Sequence, residues 1–528
     1  MIRCAVAMLA VLASEAAWAR PTARLTDFGG ANAARFAQAA DWCRANPGGQ
    51  LVIPPGDYAV RDTCAQAVAA DVLSGRYGRD PQTKMFRADF PFSTVLDLSG
   101  TTNVTVLADG ARIVLAGFGE FVAARCAVGL TVRGLELGHL RLPFSRGRVV
   151  RQDRAAATID VAIDPMTPFN PAVAPLMRGL FFASDGTLLP RPHLWGAKAE
   201  GLEGLRVLSA DAFRCAYPAN GDMLGADLYF SHTLHSRPAI RLSRCVQVTL
   251  ERVVIRSMSG MGIVGFRCRD VTLRGVEVAP CPGMAMSTNT DATHFACCSG
   301  VLRAEGCTLR GMGDDGLNVH SYYLALSDIR GRTATARLPS GCDLHALEPE
   351  FPEVGEDVAF VRRGTLEPVG CARVIASSAT LPCRLELDRA IPEDVYLANL
   401  SCDPELVFRD NTVGDTPGRG LLVKCSRALV TGNRFFRTRC PGVLVAAEES
   451  WGEGLVPQDV TICSNRFESC GWGVDAGHGT AIDVFVDSAR RHERALIGRV
   501  VVAANESVGR RDGREPVVIR NVKEYVIK

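Results

Sequence analysis

The chain carries almost no excess of either charge. Its 59 lysines and arginines stand against 57 aspartates and glutamates, a formal net charge of +2 over 528 residues, and no long run of one sign occurs. That excludes the basic stripe of a nucleic-acid binder and the polybasic face of a protein held on anionic lipid. Paired CxxC motifs are missing, which removes the usual structural zinc sites. Past the first residues no apolar run approaches the length that spans a bilayer. Aromatic residues are sparse at 7%, whereas glycine (51) and proline (28) are plentiful. This is the composition of a turn-rich β protein, on a chain long enough for several domains or one long solenoid.

The N-terminus reads as a targeting segment. Arg3 precedes an apolar run from Ala5 to Ala13, and Ala17-Trp18-Ala19 fits a small-x-small cleavage site. Export, to the periplasm or the medium, is the expectation. An exported protein with 19 cysteines would ordinarily suggest disulfides, but their placement argues otherwise. Cys245 and Cys268 occupy one phase of two similar segments, Arg244-Cys-Val-Gln-Val-Thr-Leu and Arg267-Cys-Arg-Asp-Val-Thr-Leu, and Cys425 sits similarly. Stacked, buried thiols acting as small apolar residues are expected. Cys281, Cys297, Cys298 and Cys307 are read the same way and not as metal ligands.

Those two segments belong to an internal repeat. Val248-Thr-Leu recurs as Val271-Thr-Leu after 23 residues; Asn411 recurs as Asn433 after 22 and as Asn465 after 32. Short alternating apolar runs lie between these marks. A unit of about 22–24 residues with short strands and Asn or Gly turns describes a right-handed parallel β-helix. Stacked Asn side chains would form a ladder along one turn. Extra residues in the Asn433–Asn465 step place Glu448-Glu-Ser-Trp451-Gly-Glu453-Gly on a protruding loop. The long Val271–Val301 step suggests a second protrusion at Met284–Phe295. A helix from Asn32 to Asn46 would cap the first coil and guard its open edge.

The repeat fades twice, and both breaks suggest inserted antiparallel β units. The expected organisation is a signal peptide at 1–19, N-terminal coils with a capping helix at 20–140, and an inserted β domain at 141–235. Coils carrying the chemistry follow at 236–325, then a barrel-like insert at 326–405 and C-terminal coils at 406–528. The fold class is thus all-β: a parallel β-helix with two small antiparallel β-barrel-like inserts.

The chemistry is expected where two acidic turns lie one coil apart. Ser287-Thr-Asn-Thr-Asp291-Ala-Thr-His294-Phe295 is followed by Gly313-Asp314-Asp315-Gly-Leu-Asn318-Val-His320, and Asp291 and Asp314 are 23 residues apart. Either motif alone is a common turn former. Together they stack three carboxylates on adjacent rungs. Crowded acids resist full ionisation, so one should hold a proton beside an ionised partner, as hydrolysis of a glycosidic bond requires. Adjacent rungs are about 4.8 Å apart, which leaves the closer and wider carboxylate spacings of the two stereochemical classes both open. Trp451 could cover the apolar face of a sugar ring, with Glu448 and Glu453 near its hydroxyls.

Asp291-Ala-Thr-His-Phe, Cys298-Ser-Gly and Gly313-Asp-Asp-Gly-Leu-Asn-Val-His320 resemble glycoside hydrolase family 110. So do Arg237-Pro-Ala-Ile, Gly260-Met-Gly-Ile-Val-Gly, Gly418-Arg-Gly-Leu-Leu-Val and the Trp451 loop. The likeness covers most coils from about residue 235 onward. Two departures are Gly316-Leu317, where Ala-Thr is common, and Ser450, where an aromatic is usual. The resemblance implies an exo-acting, inverting α-1,3-galactosidase on a β-helix with inserted barrels, acting on glycans with terminal α-galactose. It implies Asp314 as the acid and Asp291 and Asp315 as the groups activating water. His294, Asn318, His320, Trp451, Glu448 and Glu453 would position the galactose. No metal or organic cofactor is called for, and a homodimer is an allowed assembly.

A looser likeness to polygalacturonases rests on Asn289-Thr-Asp291 followed by Gly-Asp-Asp. Their Gly-His-Gly should come one coil later, whereas Gly477-His-Gly479 is more than 160 residues downstream. No basic pair for a uronate is evident. A polysaccharide lyase or a non-catalytic glycan-binding β-helix are the other classes such a chain could serve.

Overall fold

The computed structural model describes residues 20–85, 90–189, 194–195, 205–217, 221–338, 351–378, 382–473, 479–490, 494–509 and 515–528. The expected signal segment and the Gly477–His478 step lie outside them. No helix among the described residues is long and apolar enough to cross a membrane.

The repeat read from the sequence is a stack of parallel coils. Val248, Thr249 and Leu250 pair with Val271, Thr272 and Leu273, and Val271 pairs with Leu302 on the next rung. Such pairs build a sheet of twenty strands along one side of the molecule. A second parallel sheet carries the site. In it Ile263 pairs with Thr293, Thr293 with Leu317, Leu317 with Leu421, and Leu421 with Val443. Because side chains alternate along a strand, Phe295, Val319, Val423 and Val445 point into the coil and join its core. Their neighbours His294, Asn318, Leu422 and Lys424 point outward, onto the face where the site forms.

The coil interior is held by like stacking on like. Phe408, Phe435 and Phe467 stack at 6.1 and 5.1 Å between centroids. The backbone N–H groups of Asn411, Asn433 and Asn465 donate to the side-chain oxygens of Asn433, Asn465 and Asn505 at 2.9–3.0 Å. Each Asn amide also donates to a neighbouring backbone carbonyl, so buried turn groups are satisfied rung by rung. The cysteines of the described residues are free thiols, and Cys245, Cys268, Cys298 and Cys425 are buried as expected. The capping helix spans Asn32–Ala45 and buries Phe36, Ala39, Ala40 and Cys43, with Trp42 at its margin.

Both inserts occupy a single coil step. Val122 pairs directly with Ile240 across the first, so the coil resumes in register after it. This insert is a seven-stranded sheet running Leu194–Trp195, Arg178–Phe182, Asp227–Ser231, Phe144–Asp153, Thr158–Ile163, Ala212–Ala216 and Arg206–Ser209. It has its own core around Phe169, Phe213 and Phe230. The second insert closes into a six-stranded antiparallel barrel. Its strands Thr333–Arg337, Cys383–Leu387, Pro368–Ser377, Asp357–Arg362 and Val395–Asn399 return to Leu317–Arg330. The strand Leu317–Arg330 belongs to both bodies: its first residues are a rung and its last a stave.

One expectation is corrected. The Met284–Phe295 stretch does not protrude; Ser287, Thr288, Asn289 and Thr290 are fully buried. The first insert covers them. Asn289 donates to the carbonyls of Thr233 and Ser259 at 2.7 and 3.0 Å and accepts from Ser231 Oγ at 3.2 Å. Extra chain length in a solenoid bulges outward unless a neighbour seals it, and the polar partners supplied by the insert allow the second outcome here.

Candidate active site

The two acidic turns precede the rungs Thr293–Ala296 and Leu317–Arg330. They stack in register: Ala292 N–H donates to the Asp315 carbonyl at 2.9 Å, and Asp315 N–H donates to Asp291 Oδ1 at 3.3 Å. As a result one carboxylate oxygen from each of Asp291, Asp314 and Asp315 lies within 4.8 Å of the others. Close backbone approach around them excludes side chains at two glycines. A Cβ at Gly418 would lie 2.4 Å from Asp315 Oδ1, and one at Gly313 would lie 2.3 Å from the Asn289 carbonyl oxygen.

Two arginines face the trio. Arg178, from the first insert, is 2% exposed; its guanidinium lies 3.4 Å from Asp314 Oδ2 and also donates to the Asn289 carbonyl. Arg419 gives Asp315 a backbone N–H at 2.6 Å and a guanidinium N–H at 3.2 Å. Burial works against the charge on Arg419, but Asp315 and Glu448 outweigh it and hold the guanidinium firmly protonated. Burial is also the largest influence on Asp315, lifting its carboxyl to about 8 against the pull of Arg419. It raises Asp291 well above the carboxylate range too, with the charge of Asp314 adding to the effect. The trio therefore retains a proton in the neutral range, as crowded, desolvated acids must. Asp314 is the member most open to solvent, its side chain 34% exposed.

A second charged group lies beside the first. Lys424, fully buried, bonds both Glu448 and Glu453. Burial opposes its charge, yet the two glutamates raise it above its usual range. Glu448 is also 3.7 Å from Arg419, and Asn318 donates to Glu453 at 3.4 Å. Glu448 and Glu453 pair with each other across a tight hairpin, and Trp451, 45% exposed, stands at its tip.

Together these groups line a cavity of about 270 Å³. Asp291, Asp314, Asp315 and Arg419 line it together with Lys424, Glu448, Glu453 and Trp451. His294 and Asn318, with His235, Met261 and Leu422, complete the lining. The volume falls just below the ~300–1,000 Å³ typical of pockets for drug-sized ligands, a size suited to one sugar ring. Asn318 Oδ1 is buried there without a protein hydrogen bond, an acceptor ready for a hydroxyl.

Of the residues singled out in the sequence, Asp291, Asp314, Asp315, His294, Asn318, Trp451, Glu448 and Glu453 all reach this cavity. His320 does not. Its side chain is fully buried behind His294, with the two Nε2 atoms 2.8 Å apart, so the expected contact with a sugar is replaced by a contact with His294. Sequence reasoning missed Arg178 and Lys424, and it quoted Arg419 without a role. Face parity could have found Lys424, two residues beyond Leu422 on an outward row. No periodic signal marks Arg178.

The three Asp oxygens are close enough to share a cation, but clusters of acids commonly are. Arg178 and Arg419 already supply counter-charge, so the arrangement is read as an acid–base cluster. Its closest oxygens are nearer than the ~6.5–9.5 Å between the carboxyl groups of inverting glycosidases.

No family model matches the chain. The chain is similar to an alpha-1,3-galactosidase A from Bacteroides fragilis, with 31% identity over 243 residues, 44% of this chain and 40% of the relative. It is also similar to an alpha-1,3-galactosidase B from Bacteroides thetaiotaomicron, with 24% identity over 477 residues, 83% of this chain and 73% of the relative. The first match thus spans two fifths of the length of the relative. Among solved structures, an exopolygalacturonase from Thermotoga maritima aligns with a TM-score of 0.41 and 10% identity, covering 92% of this chain and 81% of that one. The resemblance drawn from the acidic motifs agrees with the likeness to the two alpha-1,3-galactosidases.

Proposed function

We propose that this chain is a glycoside hydrolase that releases terminal α-linked galactose, from α-1,3 linkages, with inversion at the anomeric carbon. The observation that carries the reading is the convergence of Asp291, Asp314 and Asp315 within 4.8 Å in the lining of a cavity of about 270 Å³. The relatives named alpha-1,3-galactosidase support the choice of sugar and linkage. Inversion and exo action follow from the family resemblance.

In this reading Asp314, the most open of the trio, donates a proton to the departing glycosidic oxygen. A carboxylate of the pair Asp291 and Asp315 takes the proton of the attacking water. Arg178 and Arg419 keep the cluster from accumulating uncompensated charge. Trp451 covers the apolar face of the ring, and Lys424, Glu448, Glu453 and Asn318 meet its hydroxyls. The residues act by acid–base chemistry and positioning, and the reading calls for no cofactor.

The test is a screen of α-galactosides differing in linkage. Galactose release should be fastest from a terminal α-1,3-galactoside. Turnover of polygalacturonate, or an unsaturated product absorbing in the ultraviolet, would replace this reading with a pectic hydrolase or a lyase.

A further inference from the structure

Behind the cavity wall a hydrogen-bond chain fixes where one proton of the trio sits. His320 Nδ1 lies 3.0 Å from the Ser321 carbonyl oxygen. A carbonyl only accepts, so His320 Nδ1 carries a hydrogen. His320 Nε2 and His294 Nε2 are 2.8 Å apart, which requires a second hydrogen between them. His294 Nδ1 and Asp291 Oδ2 are also 2.8 Å apart, which requires a third. Three protons on one carboxyl and two imidazoles make an electrically neutral set. With only two, some contact must set lone pair against lone pair in a fully buried site. The other two acids differ: Asp314 faces Arg178 and Asp315 faces Arg419. Among the described residues Asp291 makes no ion pair with an arginine or lysine.

We propose that His294 and His320 are positioning residues that hold the resting proton of the carboxylate trio on Asp291, through a one-way chain ending at the Ser321 carbonyl. Burial agrees with this placement. It raises Asp291 and brings His294 and His320 down to about 4 and about 3, so both rings are neutral in the physiological range. Of the groups facing Asp291, Asp314 and Glu453 favour its proton, whereas Arg419, Arg178 and the Asp315 backbone N–H oppose it. Lys424 and Glu453 also face the two rings, the first opposing and the second favouring their charge. The inference rests on the reading of the three acids as the hydrolytic group.

It also closes the proton ledger of a turnover. The resting proton passes from Asp291 to Asp314 across a gap of at most 4.8 Å between carboxylate oxygens, a distance that one bridging water can span. Asp314 gives it to the glycosidic oxygen as the bond from that oxygen to C1 breaks. Water forms the new bond to C1, and its proton returns to Asp291. The trio holds the same number of protons before and after.

Nitrogen NMR of the substrate-free enzyme, labelled at histidine and assigned by signals lost in His320→Gln, tests the chain without any assay of sugar release. Between pH 5 and 8 His320 should show the Nδ1–H form and His294 the Nε2–H form, both neutral. An imidazolium on either ring, or His294 as the Nδ1–H form, would overturn the proposal even if the enzyme proves to be a galactosidase. Kinetics give the second arm. His320→Gln can still accept from His294 through its amide oxygen, and it should keep the alkaline limb of kcat/KM in place. His320→Leu frees His294 to turn its hydrogen toward an ionised Asp291, and the limb should move about one pH unit or more toward acid, tenfold or more in the ionisation constant. A uniform loss at every pH in His320→Leu, with the limb unmoved, would reduce both histidines to packing.

Discussion

The two inserts break the coil in the same way and serve the site differently. The first lies across the acidic turns. Phe144, Phe182 and Tyr229 pack with Ala285 and Met286, Tyr229 accepts from Ala285 N–H at 3.0 Å, and Arg178 reaches Asp314. The second closes on itself. Its core takes in Phe266, Ala296, Cys297 and Tyr322 from the coils, but no described residue between 323 and 418 lines the cavity. Its link to the site is indirect: Gly364 N–H donates to Glu449 at 2.7 Å, at the base of the loop that carries Trp451. An open sheet can lay a face over a neighbour and extend one strand residue into its chemistry. A closed barrel has no free edge and acts here through a shared strand and a tether.

The largest effect should come where the first insert meets the acids. Asp314→Asn removes the proposed proton donor and should lower kcat on an α-1,3-galactoside by about 10²–10⁴-fold, with little change in Tm because Asp314 is the most open of the three; full activity would remove it from catalysis. Next comes Arg178→Met, which leaves Asp314 without its guanidinium. An electrostatic loss of this kind costs roughly 10²–10³-fold in kcat. An effect below tenfold would make the first insert a cover and erase the contrast with the barrel.

A smaller effect concerns pH. The carboxyl of Asp315 is raised in the folded protein to about 8, above its value in an unfolded chain. Its contribution to stability is therefore fully present below the unfolded value and is lost as pH rises through the folded one. Between pH 5 and pH 8 the Tm of the wild type should fall relative to that of Asp315→Asn. A constant difference across that range in thermal scans would show that the carboxyl is not desolvated.

The barrel should yield the weakest responses. Glu449→Ala cuts the tether at Gly364 and a second bond from Ala489 N–H at 2.9 Å. It should raise KM a few-fold through the Trp451 loop and leave kcat nearly intact. Arg373→Ala breaks an exposed pair with Asp357 and should leave activity and Tm unchanged, as surface pairs usually do. A loss of kcat from either would mean that the barrel participates in the chemistry after all.

The same contrast explains what could be read without coordinates. The coils were legible because a rung repeats its neighbour: Asn411, Asn433 and Asn465 announce a ladder, and Asp291 and Asp314 announce stacked turns. His294 and Asn318 were named through the family resemblance, and alternation along their strands brings both to the cavity. Arg178 stayed hidden because it lies 136 residues from its partner, in a sheet with no period in common with the coils. His320 has the parity of the site face but is sealed beneath His294 and Tyr322, and cover of that kind leaves no mark in a pattern of alternating residues. The Met284–Phe295 stretch was misjudged for the same reason: its excess length was visible, but not the insert that lies over it.

Proton NMR of the sugar released in the first minutes of hydrolysis of a terminal α-1,3-galactoside tests the central claim most directly. Acid–base hydrolysis by the three aspartates with water as the nucleophile requires β-galactose to appear first and α-galactose only as the anomers equilibrate. Initial α-galactose, or no galactose at all, would contradict it.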